Sequence, residues 1–330
     1  MAIKFGIVGC GNIGKKHIEL ASKMGELIGV CDNKRERADE FADYYACNRY
    51  YDFKDMLENK AIDVISICTP NYLHFMQTVK SLEADKHVIV EKPMALKVDD
   101  CKTMIEIAKD RNKKLFVVKQ NRFNPPIVAL KKCLDEKRLG HILSFQVNCF
   151  WNRDENYYMS SDWKGIRKFD GGTLFTQFSH FVDLITWFFG DGFEVKSYRI
   201  NNNHHGVIDF EDSGVVILEK YGTIGTLNYT VNSYDRNMEG SITVFGEKGT
   251  VKVGGEYLNK LEYYVADDFV PNVPPSPKPN DYGTYQGSMS NHDKVYKNVI
   301  EVLMKIGDIA VNGYDGLKTV QLIESIYGTN

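Results

Sequence analysis

The chain reads as an α/β N-terminal domain on a doubly wound parallel sheet, followed by an α+β domain on a large open, mostly antiparallel sheet. Three observations carry that reading. Up to about residue 118, short apolar runs alternate with amphipathic helical stretches, the pattern of strand–helix–strand units whose strands are buried on both faces. A glycine-rich turn joins the first such run to the first helix. Beyond Gly140 the segments lengthen and alternate in polarity, as antiparallel strands with one wet face do. A length of 330 residues suits two cores better than one, so the expected domains are 1–120 and 121–330.

Strands are expected near 3–8, 27–31, 63–68, 87–90 and 115–118, with helices at 15–24, 71–84 and 97–112 between them. The alternating segments of the second domain are 141–150, 214–219, 223–232 and 241–253, with Gly246-Glu247-Lys248-Gly249 as a turn signal. A helical apolar period runs through 172–189, and a further helix is expected at 294–304. The proline-rich 271–279 reads as a loop, and a last helix from Leu317 is a candidate to pack back on the first domain.

Composition removes several functions. Lys plus Arg number 41 against 44 Asp plus Glu, a net charge of -3, so no global basic field draws the chain to nucleic acid. No run of about 18 apolar residues is present, and the chain enters a strand without a charged leader, so the reading is cytoplasmic, with no membrane partner. The seven cysteines, at 10, 31, 47, 68, 101, 133 and 149, are odd in number and form no C-x-x-C pair; reduced core thiols fit them better than disulfides or zinc. His204 and His205 sit in an Asn-rich turn without metal-ligand spacing and read as solvated, and no metal site is expected.

The chemistry begins at Phe5-Gly-Ile-Val-Gly9-Cys-Gly11-Asn12-Ile13-Gly14. Gly9 permits a tight strand-to-helix turn, Gly11 lets backbone approach a phosphate, and Gly14 lets the helix lie close on the sheet, with its N-terminal amides facing the anion. Asp32, about 20 residues on at the end of the second strand, stands where an acid bonds a ribose hydroxyl. The pair of signals points to a dinucleotide, NAD in preference to NADP because Asp32 repels a 2'-phosphate, although Lys34 and Arg35 partly offset it. Lys92, in Glu91-Lys92-Pro93, leaves the carboxyl end of a parallel strand, where such sheets bind ligands; a solvated lysine closing a strand is an equal reading of that position alone.

Gly9-Cys-Gly-Asn-Ile-Gly14, Cys68-Thr69-Pro70-Asn71-Tyr-Leu-His74, Glu91-Lys92-Pro93 and the stretch from Gly171 through Gln177 and His180 to Asp183 together resemble the signatures of the Gfo/Idh/MocA oxidoreductases. The resemblance spans nearly the whole chain. It implies a Rossmann domain, a C-terminal domain on a large open sheet, NAD or NADP, hydride transfer at a sugar-like carbinol, and a homodimer or homotetramer formed through the outer sheet face. It implies Lys92 and His180 as catalytic residues. Cofactor contacts are implied at Gly9, Gly11, Asn12, Ile13, Gly14, Asp32, Thr69, Pro70, Asn71, His74, Glu91, Lys92 and Gln120. Asn71 and His74 are expected to line the path to the nicotinamide.

One departure stands out. Four residues before His180 the family usually carries Asp, and this chain has Thr176 followed by Gln177. On a helix that spacing would put Thr176 and His180 on one face, with the charge lost and Lys92 the stronger base. The departure, with Lys119-Gln120-Asn121-Arg122 and Trp163-Lys164-Gly-Ile-Arg167, resembles the branch that oxidises UDP-N-acetylglucosaminuronic acid at C3 for bacterial surface polysaccharide. Such a substrate needs cationic and amide partners, and the implied set is Lys92, Asn121, Arg122, Tyr157, Lys164, Arg167, Thr176, Gln177 and His180, with Arg153 close by in sequence. Tyr157, Tyr158 and Trp163 could wall a sugar, while Phe150 and Trp151 read as core. His17 and His292 border the site or occupy ordinary helix positions. A dehydrogenase of a free sugar or inositol, a ketosugar reductase and a non-catalytic NAD sensor are the competing readings.

Overall fold

The computed structural model describes residues 2–266, 271–281, 283 and 286–329. Strands and helices alternate first as β1 (Lys4–Val8), α1 (Asn12–Met24), β2 (Glu26–Cys31), α2 (Arg35–Tyr45), β3 (Asn48–Tyr50), α3 (Phe53–Glu58), β4 (Val64–Ile67), α4 (His74–Glu83), β5 (His87–Val90), α5 (Val98–Asp110) and β6 (Leu115–Val117). The six strands are parallel, in the order β3-β2-β1-β4-β5-β6. β4 and β6 are buried throughout and β1 and β5 all but throughout, which is why each reads as a largely apolar run. Strand order reverses between β1 and β4, the place where open α/β sheets bind ligands. The short β3, Asn48-Arg49-Tyr50, carries no apolar run and gave no sequence signal.

The chain continues through α6 (Pro125–Asp135), β7 (Ile142–Phe150), α7 (Glu155–Met159), α8 (Arg167–Asp170), α9 (Thr173–Thr176), α10 (Ser179–Phe189), β8 (Glu194–Ile200), β9 (Ser213–Lys220), β10 (Thr223–Thr230), β11 (Glu239–Gly246), β12 (Gly249–Gly254) and β13 (Lys260–Ala266). Those seven strands form one sheet, β13-β12-β11-β7-β10-β9-β8, antiparallel at every step but β7 with β10. β8 and β13 lie at its edges, where half-exposed residues blur the alternation that marks the inner strands.

The covered face of this sheet shows how sequence fixes packing. Phe145 of β7 stacks on Phe189 of α10 with ring centroids 4.1 Å apart, and Gly225 of β10 stands opposite Phe145 in the ladder. A Cβ on Gly225 would come within 2.0 Å of the Phe145 ring, so glycine there makes room for the aromatic pair. The other face exposes Tyr198, Val215, Ile217, Ile224 and Tyr263.

A hairpin of β14 (Pro279–Asp281) and β15 (Gln286–Met289) precedes α11 (His292–Leu303) and α12 (Gly313–Gly328). The chain divides into two compact units: the first comprises residues up to Lys119 with His292–Val320, the second Gln120–Asn291 with residues from Gln321 on. His292–Val320, expected within 121–330, thus belongs to the first unit. The reason is apolar and polar packing within that unit: the Tyr296 ring lies 5.3 Å from Phe5, and Phe116 bridges to Asn312. α12 begins four residues before the expected Leu317 because Asn312 Oδ1 accepts the amides of Tyr314 and Asp315, capping the helix. None of the seven cysteines is paired in a disulfide, and six are buried. No helix among the described residues is long and apolar enough to cross a membrane.

Candidate active site

In the first unit, the turn between β1 and α1 needs two of its glycines for the fold itself. Gly9 has φ +90°, and a Cβ there would meet the Cys68 backbone at 2.8 Å; one on Gly14 would fall 1.8 Å from the Gly9 carbonyl oxygen. Gly11 is different. A Cβ on it would touch no protein atom within 4 Å, so packing does not explain the glycine, whereas close approach of a phosphate does. Gly11 also caps α1 with no side-chain cap, leaving the first amides available to an anion, with exposed Asn12 and half-buried Ile13 opening the helix. Asp32, 8% exposed, takes the Cys10 amide on Oδ2 at 2.8 Å and the Lys34 amide on Oδ1 at 2.9 Å. Its carboxylate is fixed between the two turns and keeps lone pairs for a ribose hydroxyl. These residues fit a dinucleotide.

At the end of β4, Thr69 Oγ1 donates to Gln77 Oε1 at 2.5 Å, Pro70 is half-buried and Asn71 is buried. Both ring nitrogens of His74 face backbone carbonyls, Nδ1 that of Pro93 at 2.7 Å and Nε2 that of Thr69 at 2.9 Å. Burial lowers its proton affinity while the two carbonyls pull it up. His74 therefore ties the turn after β4 to the turn after β5. In that second turn the Lys92–Pro93 peptide is cis and Lys92 is half-buried. The Glu91 carboxylate turns to the rings of His17 and His292.

The second unit assembles a different group. The Gln120 side-chain amide donates to His180 Nε2 at 3.1 Å and to Ser288 Oγ at 2.8 Å, all three residues being buried. Asn121 is buried beside them in sequence, its Oδ1 without a hydrogen-bond partner among the described residues. Arg122 is spent on Asp183: Nε and Nη2 reach Oδ2 and Oδ1 at 2.8 Å each, with Trp187 under the guanidinium at 4.9 Å. A buried bidentate pair of this kind is part of the scaffold.

Thr176 and His180 do not share a helix, contrary to the sequence reading. α9 ends at Thr176 and α10 starts at Ser179, with Phe178 between them at φ -113°, ψ 9°. The acid missing at position 176 has a counterpart, since the Thr176 hydroxyl bonds the carboxylate of buried Asp170. Gln177 joins two further candidates: its Nε2 donates to the Tyr157 hydroxyl at 2.7 Å, and its Oε1 accepts from Arg153 Nε at 2.7 Å. Arg153 and Lys164 both stand over the Tyr157 ring, at 5.2 and 4.0 Å. Burial brings the Lys164 ammonium down to about 8, so it loses its proton more readily than an exposed lysine.

Arg167 stands apart from that group. It pairs with Glu211 at 3.3 Å and lines a cleft of about 600 Å³ with Ser197, Arg199 and Phe210. Tyr158 and Trp151 are buried, and Trp151 packs on Phe178, Phe181 and Tyr257, as core. His204, expected in solvent, is buried between Asp212 Oδ2 at 3.1 Å and the Arg153 carbonyl at 2.8 Å, because the Asn-rich turn folds it inward. Sequence reasoning missed Ser288, Asn237 and Asp170. Ser288 lies in a strand with no apolar signal, and Asn237, which accepts from Arg153 at 3.1 Å, lies in a loop.

Comparison with known proteins decides the family. Residues 3–119 match the Gfo/Idh/MocA oxidoreductase family, NAD-binding Rossmann fold, and residues 127–252 match the Gfo/Idh/MocA C-terminal domain. The WlbA dehydrogenase from Bordetella pertussis, solved in complex with NADH and UDP-GlcNAcA, is 34% identical, with a TM-score of 0.89 over 99% of this chain and 96% of its own. This chain belongs to the Gfo/Idh/MocA oxidoreductases. It is an NAD-dependent dehydrogenase. The WlbA dehydrogenase from Chromobacterium violaceum, also solved with NADH and UDP-GlcNAcA, is likewise 34% identical, with a TM-score of 0.90 over 99% of this chain and 93% of its own. Inositol 2-dehydrogenase from Rhizobium meliloti is 26% identical over 98% of this chain and 96% of that one. The matched NAD-binding domain spans the glycine turn, Asp32 and the Lys92 turn.

Proposed function

We propose that this Gfo/Idh/MocA enzyme oxidises the C3 hydroxyl of UDP-N-acetylglucosaminuronic acid with NAD, in the supply of sugars for bacterial surface polysaccharide. The observation that carries the reading is 34% identity, over nearly the full length, to two WlbA dehydrogenases solved with that nucleotide sugar. The cationic and amide cluster of Arg153, Lys164, Gln177 and Tyr157 supports it, because a uronate and a diphosphate both need such partners.

NAD supplies the hydride acceptor. Asp32 and the amides at the α1 N-terminus would hold the dinucleotide, which when bound would take up the C3 hydride as NADH, while the hydroxyl proton passes to a base and a 3-keto sugar is left. Lys92 is the proposed base. His180 supports that division, since its Nε2 already accepts the Gln120 amide and is occupied where a base would take the proton. Lys92→Ala costs on the order of 10²-fold or more in turnover with NAD binding intact; turnover near wild type removes Lys92 from the mechanism. The exposed apolar face of the seven-stranded sheet, with Tyr198, Val215 and Ile217, is proposed to pair with further copies of the chain as a homodimer or homotetramer, which light scattering tests.

A second reading is oxidation of inositol or a free sugar, favoured by the inositol 2-dehydrogenase relatives at 26% identity. NADH formation from UDP-N-acetylglucosaminuronate, UDP-N-acetylglucosamine, glucose and myo-inositol in parallel separates the two. A signal only with the uronate supports the first; a signal only with inositol or glucose overturns it.

A further inference from the structure

Glu91 divides its carboxylate between two tasks. Oε2 accepts the Lys92 amide at 3.0 Å, while Oε1 lies 3.1 Å from His17 Nε2 and 3.3 Å from His292 Nε2, the latter off the line of a hydrogen bond. All three side chains are at most 4% exposed by residue. An uncompensated carboxylate at such a place costs several kcal/mol, so the histidines are what allow it to stay ionised.

The surrounding groups fix the tautomer of His17. Its Nδ1 lies 2.8 Å from Ser66 Oγ and 3.2 Å from the Tyr296 hydroxyl, both of which can donate to it, so the network assigns the proton to Nε2, aimed at Glu91. Burial likewise keeps His17 below its ordinary proton affinity. Burial pushes Glu91 up, yet the two histidines outweigh it and hold the carboxyl well below the usual range. The other titratable groups that sense Glu91 are Cys68, His74 and Tyr296; burial raises the thiol and the phenol, which stay neutral at pH 7.

These contacts join three distant stretches of one unit. His17 lies on α1, the helix whose N-terminus receives the cofactor, and His292 opens α11. We propose that His17, Glu91 and His292 form a positioning clamp that fastens the Lys92 amide to the cofactor helix. The clamp rests on the role given to Lys92 above. It holds the reacting geometry, where a misplacement of about 1 Å costs on the order of 10²-fold in rate, and keeps a negative charge beside the lysine.

Four proteins test it: wild type, Lys92→Ala, Glu91→Gln and His292→Asn, assayed with NAD and UDP-N-acetylglucosaminuronate, with NADH binding followed by fluorescence. Glu91→Gln is expected to lose roughly 10²-fold in kcat, with KM and NADH affinity within about twofold of wild type. Its kcat–pH limb moves to lower pH, because removing a neighbouring negative charge makes the Lys92 ammonium easier to deprotonate. His292→Asn shows the same pattern, weaker. Wild-type kcat in Glu91→Gln beside an inactive Lys92→Ala overturns the clamp alone, whereas an active Lys92→Ala overturns the lysine's role and the clamp with it. If Glu91→Gln fails to fold, His292→Asn and long-range proton–nitrogen spectra of the wild-type histidines decide: an unmoved kcat and pH limb, or a His17 protonated on both nitrogens at pH 7, overturns the proposal. So does a stoichiometric divalent metal in the purified protein, which would put coordination in place of shared protons.

Discussion

Gln120 donates its side-chain amide to Nε2 of His180 at 3.1 Å, which occupies the lone pair a general base would use. The same orientation leaves Gln120 Oε1 buried without a hydrogen-bond partner among the described residues. Gln120→Glu replaces the donor with an anionic acceptor, and a neighbouring anion favours the imidazolium. The His180 ring protons are then expected to titrate at higher pH than in wild type, as read by NMR. An unmoved titration would mean that the contact does not govern the charge of His180.

Asp32 is anchored by two backbone amides, so its charge cannot swing away from a cofactor phosphate. Asp32→Ser removes that charge and leaves Lys34 and Arg35 facing the same place. Since like-charge juxtaposition costs several kcal/mol, the KM for NADP should fall about tenfold or more while that for NAD rises. Steady-state kinetics with both cofactors measure it, and an unchanged ratio would assign the preference elsewhere.

Acid should weaken the fold through its buried and half-buried histidines. His87 is lowered to about 4, by burial first and then by the Lys113 charge, and its Nδ1 accepts the Lys114 amide at 2.9 Å. The folded state thus binds this proton less readily than the unfolded chain does. His87 leaves stability unchanged above about pH 6.5, costs progressively more as pH falls from 6.5 to about 4, and adds no further loss below that. His17 and His74 are lowered too and act in the same direction. Denaturation midpoints recorded from pH 7.5 to 4 should fall, and more shallowly in His87→Gln.

The Arg122–Asp183 pair carries a scaffold prediction. Asp183→Asn strands a buried guanidinium, a change that costs about 3–5 kcal/mol in comparable buried pairs. Calorimetry should show a clear drop in Tm. A loss under about 1 kcal/mol would return Arg122 to the candidates for a substrate anion.

Gly225→Ala offers a test with an unusual sign. Alanine ordinarily stabilises a strand relative to glycine, yet here its methyl collides with the Phe145 ring. A destabilisation of about 1–3 kcal/mol is expected, and a gain would mean that the ring moves aside at little cost.

Much of this was legible in the sequence because it is local. The glycine turn, the acid 20 residues on and the apolar runs of β1, β2, β4, β5 and β6 each follow from spacing within a few residues. The edge strands β8 and β13 were hidden because half-exposed residues carry little periodicity. The helix expected across 172–189 breaks at Phe178, where a tertiary need to seat Trp151 against that ring outweighs the continuous apolar pattern. Partners far apart in the chain were beyond reach: nothing near Glu91 announces His292, nothing near Gln120 announces Ser288, and Arg122 reads as an available cation until Asp183 is seen beside it.

The return of His292–Val320 to the first unit has a consequence for how the protein is made. A nascent chain that has just released β6 holds all six parallel strands but lacks Tyr296 beside Phe5, Asn312 beside Phe116 and Thr319 beside the Lys119 ammonium. Residues 120–291 must all be synthesised before those places are filled. During translation the cofactor-binding half waits for the far end of the message, and a truncation near residue 120 would yield an exposed, aggregation-prone fragment in place of a free-standing nucleotide-binding module.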